Sequence, residues 1–387
     1  VVHTVTGDVD AAELGVTLMH EHVFVLTPDI QQNYPEDFGD EDARVDDAVA
    51  QLQKAYDAGV RTIVDPTVVG LGRYIPRIQR IAERTPVRIV AATGVYTYRD
   101  VPRYFMYRGP ALTAMTGIDF PDPMVDMFVR DITEGIGDTG VKAGMLKCAI
   151  DHHGLTDGVE RVMRAVAKAH NATGVPITVH THPGSETGLL VKKVMCDEEG
   201  VDPSRIVLGH SGDSTDVEHL SVLADAGFTL GFDRFGINLE TTFEARNETL
   251  IEMVRRGYTE KIVLSQDASC YIDWIDPNVK AGMLQWHYTH VFDDVFPYVL
   301  ERGVTQAQID GLRAQGFSDG DIAGIAYAAA ARMFFTAVLD GLRSLVASDR
   351  TGSGELSPRE VRAVLSESWS ALADALAGDT EAAAILA

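Results

Sequence analysis

Short apolar runs recur along the chain and alternate with stretches whose apolar residues fall at helical spacing. The runs lie just before His20 and at 62–68, 88–94, 144–150, 176–182, 205–212, 229–236 and 261–267. Most open with consecutive apolar residues rather than strict alternation, as parallel strands buried on both faces do. Between them, 43–56, 158–171, 186–200, 214–226 and 246–257 read as amphipathic helices. Eight such β/α units in about 250 residues predict a (β/α)8 TIM barrel. A doubly wound open sheet is the alternative, but no Gly-x-Gly-x-x-Gly follows an early strand, which counts against a dinucleotide-binding fold. Residues 1–15 alternate and turn at Gly7-Asp8, predicting a short N-terminal hairpin. The polar, Pro-containing stretch 27–42 reads as a long loop of the kind that shapes sites.

The polar residues that interrupt these runs fall where the strands end, the face on which barrels gather their function. Strand 1 ends in His20-Glu-His22, and residues i and i+2 of a strand point to one side, so the two imidazoles can meet at one point. Strand 4 carries Lys147, strand 5 His180 and His182, strand 6 His210, strand 7 Asp233-Arg234 and strand 8 Asp267. One histidine at a strand end is usually a hydrogen-bonded core residue. Several, with a carboxylate, on one rim would leave buried polar groups costing about 1–3 kcal/mol each unless they were partnered. A metal supplies the partner, and imidazole suits zinc, iron, nickel or copper.

Composition narrows the rest. The chain has 387 residues and a net charge of −24, which argues against nucleic acid and anionic membrane surfaces as partners. Three cysteines make no disulfide framework. No apolar run reaches the roughly 20 residues that span a bilayer. A cytoplasmic location is expected.

With these residues in place, the chain resembles the amidohydrolase superfamily, and within it the phosphotriesterase family, especially its lactonases. The resemblance is carried by Thr17-Leu-Met-His-Glu-His-Val-Phe-Val-Leu-Thr-Pro-Asp, Ala143-Gly-Met-Leu-Lys147-Cys-Ala, Leu208-Gly-His210-Ser-Gly-Asp, Gly231-Phe-Asp-Arg-Phe-Gly and Tyr271-Ile-Asp-Trp274. It implies a catalytic domain over 1–335 and two divalent metals, zinc first, with cobalt, iron and manganese as alternatives. By that resemblance His20, His22 and Asp267 hold the buried ion, His180 and His210 the exposed one, and a carboxylated Lys147 bridges them. A metal-bridging hydroxide would attack an ester-like centre. Asp267 would move the proton, Tyr96 would orient substrate or hydroxide, and Arg234, near the strand 7 loop, would take part in catalysis or support that loop. Tyr98, Cys270, Tyr271, Ile272 and Trp274 are expected to line an apolar substrate pocket. N-acyl homoserine lactones or γ- and δ-lactones are the expected substrates, with organophosphate triesters as a side activity. A superfamily hydrolase preferring phosphotriesters, carboxylic esters or amides is the alternative, and a non-catalytic metal-binding protein a further one. Family members are often homodimers, so a homodimer is expected. His152, His153, His182 and Gln266, with Ser269 where a cysteine is common, depart from the pattern or add to it.

Residues 336–387 extend past the usual family end as an expected helical extension, with helices over 333–347 and 358–376. Between them Asp349, Thr351, Ser353, Glu355 and Glu360 are spaced like an EF-hand calcium loop with Gly354 at its sixth position. A Gly/Ser turn with Ser357 capping the next helix is the simpler reading.

Overall fold

The computed structural model describes residues 1–314. The expected extension 336–387 and its candidate calcium residues lie outside the described residues.

The eight runs form eight parallel strand positions. In chain order the strands are β1 (Val2–Thr4), β2 (Gly7–Val9), β3 (Thr17–Leu18), β4 (His22–Val25), β5 (Thr62–Asp65), β6 (Arg88–Gly94), β7 (Met145–Ala149), β8 (Ile177–His180), β9 (Ile206–Gly209), β10 (Thr229–Phe232), β11 (Ile262–Leu264) and β12 (Ser269–Ile272). One sheet runs β11-β10-β9-β8-β7-β6-β5-β3, and β12 pairs with β4 in parallel to close the circle. The first and eighth barrel strands are therefore each broken in two. Their inner halves belong to the eight-stranded sheet, and their outer halves pair only with each other. Between the halves, His22 N–H donates to Ala268 O at 2.8 Å and Asp267 N–H to His20 O at 3.2 Å, so the seam is continuous through both breaks. This is a TIM barrel, as the periodicity implies.

Two local expectations change. The N-terminal hairpin turns at Val5-Thr6, because Thr4 pairs with Gly7 and Val2 with Val9. His20 is not in a strand: the backbone leaves β3 after Leu18 and re-enters at His22. The interruption buries Glu21 completely.

The helices form where caps and apolar stripes coincide. Thr156 caps Asp157–Thr173 through Val159 N–H, and left-handed Gly174 ends it by donating to His170 O. Val159, Val162, Met163, Val166 and Ala169 are its buried face, and each large apolar side chain so buried is worth about 1.5–3 kcal/mol. The loop expected over 27–42 contains two short helices, Pro28–Asn33 and Pro35–Phe38, and Phe38 anchors them in the core. Register places the chemistry. Lys147 sits opposite Gly94 on one side and Thr178 on the other, while His180 lies opposite Ala149 and Gly209. A Cβ on Gly94 would lie 1.8 Å from Lys147 O, so only glycine lets β6 approach β7 at this level.

Candidate active site

His20, His22, Lys147, His180, His210 and Asp267 come from five positions around the barrel and line one cavity of about 250 Å³ at its mouth. All except Asp267 are buried. His210 and Asp267 hold left-handed backbones, φ 67° and 51°, which a non-glycine residue adopts only where its surroundings impose it. For Asp267 the surroundings are identifiable. Fully buried Glu21 accepts from Gln266 N–H at 2.7 Å and Ala268 N–H at 2.8 Å, gripping the chain on both sides of it. Trp286 Nε1 donates to the carbonyls of Gln266 and Asp267, at 3.1 and 2.9 Å. Burial raises the Glu21 carboxyl well above its ordinary range.

Each histidine has one ring nitrogen tied from behind. Asp233 accepts from His20 Nδ1–H at 3.0 Å and from His210 Nδ1–H at 2.9 Å. His22 Nδ1–H donates to Thr67 Oγ1 at 2.7 Å, and that hydroxyl donates in turn to Asp65. His180 Nε2–H donates to Asp151 Oδ2 at 2.5 Å. The other nitrogens, three Nε2 atoms and His180 Nδ1, face inward. Such outer partners fix the tautomer and orientation of a metal-binding imidazole.

The inward side is crowded with lone pairs. His210 Nε2 and His180 Nδ1 are 2.8 Å apart, and in the neutral rings both of their protons are already committed to Asp233 and Asp151. Asp267 Oδ1 lies 3.2 Å from His22 Nε2 and 3.5 Å from His20 Nε2. One atom from each of these three groups falls within 4.8 Å of the others, close enough to hold one metal ion. His20, His210 and Asp233 also cluster, but Asp233 reaches the protonated Nδ1 sides and so acts as an orienting partner. Lys147 is buried and, among the described residues, makes no ion pair or hydrogen bond. Burial brings its ammonium down to about 8. The donor set of His20, His22 and Asp267 fits a divalent cation.

Charge in the site follows from the same contacts. Burial and the Lys147 charge lower His20, and burial lowers His180 to about 4, so both rings are neutral lone-pair donors at neutral pH. Burial alone would raise Asp267, yet the neighbouring histidines and Arg234 hold it well below the usual carboxylate range. Arg234 Nε meets Asp267 Oδ2 at 3.2 Å, and its Nη1 meets Asp213 Oδ2 at 3.1 Å. Tyr96 Oη lies 3.3 Å from His180 Nδ1 and bonds Tyr98 Oη, so both tyrosines lean over the histidines.

The pocket wall differs from the expectation at two positions. Tyr98, Ile272 and Trp274 line the cavity, but Cys270 and Tyr271 do not. Both make their contacts outside the cavity. Cys270 Sγ packs against Tyr288 Oη at 3.0 Å, and Tyr271 Oη donates to Asp37 O while its ring meets Phe38. Val25, Leu71, Ile237, Leu239 and Ser269 complete much of the wall. His182 bonds Ser185 Oγ at 2.8 Å and does not line the cavity. His152 Nδ1 lies 2.5 Å from Asp151 Oδ1, and the ring of His153 is 3.9 Å from that of His152. Gln266 is fully buried behind the seam, where its Nε2 donates to Tyr288 O.

A model of the phosphotriesterase family matches residues 1–315. The chain belongs to the phosphotriesterase family. It is 54% identical over 309 residues to a phosphotriesterase homology protein of Mycobacterium tuberculosis, covering 80% of this chain and 93% of that one. It is 38% identical over 304 residues to an aryldialkylphosphatase of Saccharolobus solfataricus, covering 78% and 93%. The solved structure of the phosphotriesterase from Mycobacterium tuberculosis superposes with a TM-score of 0.79 at 52% identity, over 84% of this chain and 98% of that one. This phosphotriesterase-family chain is thus a metal-dependent hydrolase. Among the described residues no helix is long and apolar enough to cross a membrane.

Proposed function

We propose that the protein is a lactonase with incidental phosphotriesterase activity, acting on N-acyl homoserine lactones or γ- and δ-lactones. The observation that carries this reading is the wall of the mouth. It runs from buried Leu71 through Ile272 to Trp274 and Leu239, which are 46% and 79% exposed. Such a strip accepts an acyl chain that starts beside the histidines and leaves toward solvent. In this reading His20, His22 and Asp267 would hold one divalent cation and His180 and His210 a second, with Lys147, once carboxylated by carbon dioxide, as a further anionic ligand. Zinc is the favoured metal. A lysine whose ammonium is brought down to about 8 by burial is appreciably neutral near that pH, and the neutral amine is the form that adds carbon dioxide. Bound cations supply Lewis acidity toward the carbonyl oxygen and make water more acidic.

The chain's own groups do the remainder. The neighbouring histidines, with Arg234 behind them, keep Asp267 ionised in the resting enzyme, so its carboxylate is ready to accept a proton from the attacking water. The same carboxylate returns the proton to the alkoxide as the ring opens. Tyr96 Oη, beside His180, orients the lactone carbonyl or the attacking water, and Tyr98 holds Tyr96 in place. Trp274, whose ring centroid is 6.0 Å from that of Tyr96, closes the apolar side. The physiological partner is accordingly a small acyl lactone or ester. A cytoplasmic homodimer belongs to the same reading, and a monomer by light scattering would contradict that part.

The test is a substrate panel on zinc-loaded full-length protein: acyl homoserine lactones of increasing chain length, simple γ- and δ-lactones, a paraoxon-like triester, an aryl ester and an amide. The expected result is kcat/KM on a long-chain lactone at least 100-fold above that on the triester, rising with chain length. A preference for the triester, ester or amide would replace the lactone with that substrate. Full metal loading without hydrolysis of any of them would make the chain a non-catalytic binder.

A further inference from the structure

A second set of metal-binding side chains lies where the loop after the eighth barrel strand returns to helix. His287 lies in the turn just before the helix, His290 stands at the start of the helix, and Asp294 follows one turn on. The backbone there is widened: Val291–Val295 is π-helical, a form found mostly as single turns at functional sites. One ring nitrogen from each histidine and one Asp294 carboxylate oxygen lie within 4.8 Å of one another. His290 is fully buried. Its Nδ1 meets Asp294 Oδ2 at 2.7 Å, and its Nε2 has no partner among the described residues.

An ordinary His–Asp pair one turn apart explains the His290–Asp294 contact. It does not explain the second imidazole. The His287 ring centroid is 5.8 Å from that of His290, steeply inclined to it, with His287 Nδ1 held at 3.1 Å by Thr289 Oγ1. Two imidazoles and a carboxylate are the donors that select zinc and its neighbours over calcium or magnesium. We propose that His287, His290 and Asp294 form a further divalent transition-metal site, built from residues separate from those of the mouth. Three protein donors leave one tetrahedral position for water.

The experiment uses full-length protein stripped by chelator and dialysed against graded Zn2+ alone, with zinc per chain measured by plasma emission. Wild type is compared with the double variant H287A/D294N, whose altered residues are partly or largely exposed. The expected result is one equivalent less zinc in the variant at every concentration that saturates wild type, with hydrolytic turnover retained. Equal zinc content overturns the proposal, and so does loss of turnover together with more than one equivalent. Should circular dichroism show the double variant misfolded, D294N alone decides. A weakening of one equivalent by tenfold or more supports the site, and an unchanged zinc isotherm overturns it. The comparison does not depend on which substrate the mouth prefers.

Discussion

The back of the mouth and its rim are built differently. Behind the histidines, Asp233, Asp151, Thr67 and Asp65 tie each ring by hydrogen bonds, and Glu21 grips the chain on either side of Asp267. All of these are buried, so each is costly to unpair. At the rim, Leu239 and Trp274 stand 79% and 46% exposed, and they act through area rather than through directed bonds. The buried shell dictates one geometry and suits one kind of chemistry. The rim can be exchanged without disturbing that geometry, so substrate choice is expected to reside there.

The largest effect should come from the residue on which both regions depend. Asp267→Asn keeps the size of the side chain but removes its basicity, and turnover on the best substrate should fall by about 10²- to 10⁴-fold. Near-normal kcat would remove Asp267 from its assigned role. A smaller loss is expected one layer back. Asp233→Asn leaves the inward-facing atoms unchanged but weakens the orientation of His20 and His210 together. Metal affinity should drop by about 10- to 100-fold, and activity should return when excess zinc is added. An unaltered metal isotherm would show that the shell behind the rings is not needed. The smallest effect belongs to the rim. Trp274→Ala should raise KM for long-chain lactones several-fold, shift KM for short ones little, and leave metal content unchanged. A loss of kcat equal for all chain lengths would contradict the separation of rim from shell.

Much of this was legible from the pattern of residues, for a physical reason. Parallel barrel strands are buried on both faces, so they read as apolar runs, and the polar residue that ends each run marks the mouth. Lys147, His180, His210 and Asp267 could be placed in this way. His20 and His22 converge as expected but by another route: the strand breaks at Met19–Glu21, so alternation gave the right outcome for an inexact reason. The left-handed backbones of His210 and Asp267 left no trace in residue type, because they are imposed by partners distant in sequence. The same holds for the orienting shell. Asp151, Thr67 and Glu21 resemble ordinary strand-end residues until the barrel closes. Cys270 and Tyr271 were misplaced because the facing of β12 is decided by its pairing with β4, which the composition of the loop does not reveal.

The most direct test is anomalous diffraction from crystals of the full-length protein grown with zinc. The account expects two peaks about 4 Å apart in the mouth. One should be flanked by His20, His22 and Asp267 and the other by His180 and His210, with continuous density from Lys147 Nζ reaching both. A single peak, or none, beside an unmodified lysine would contradict it.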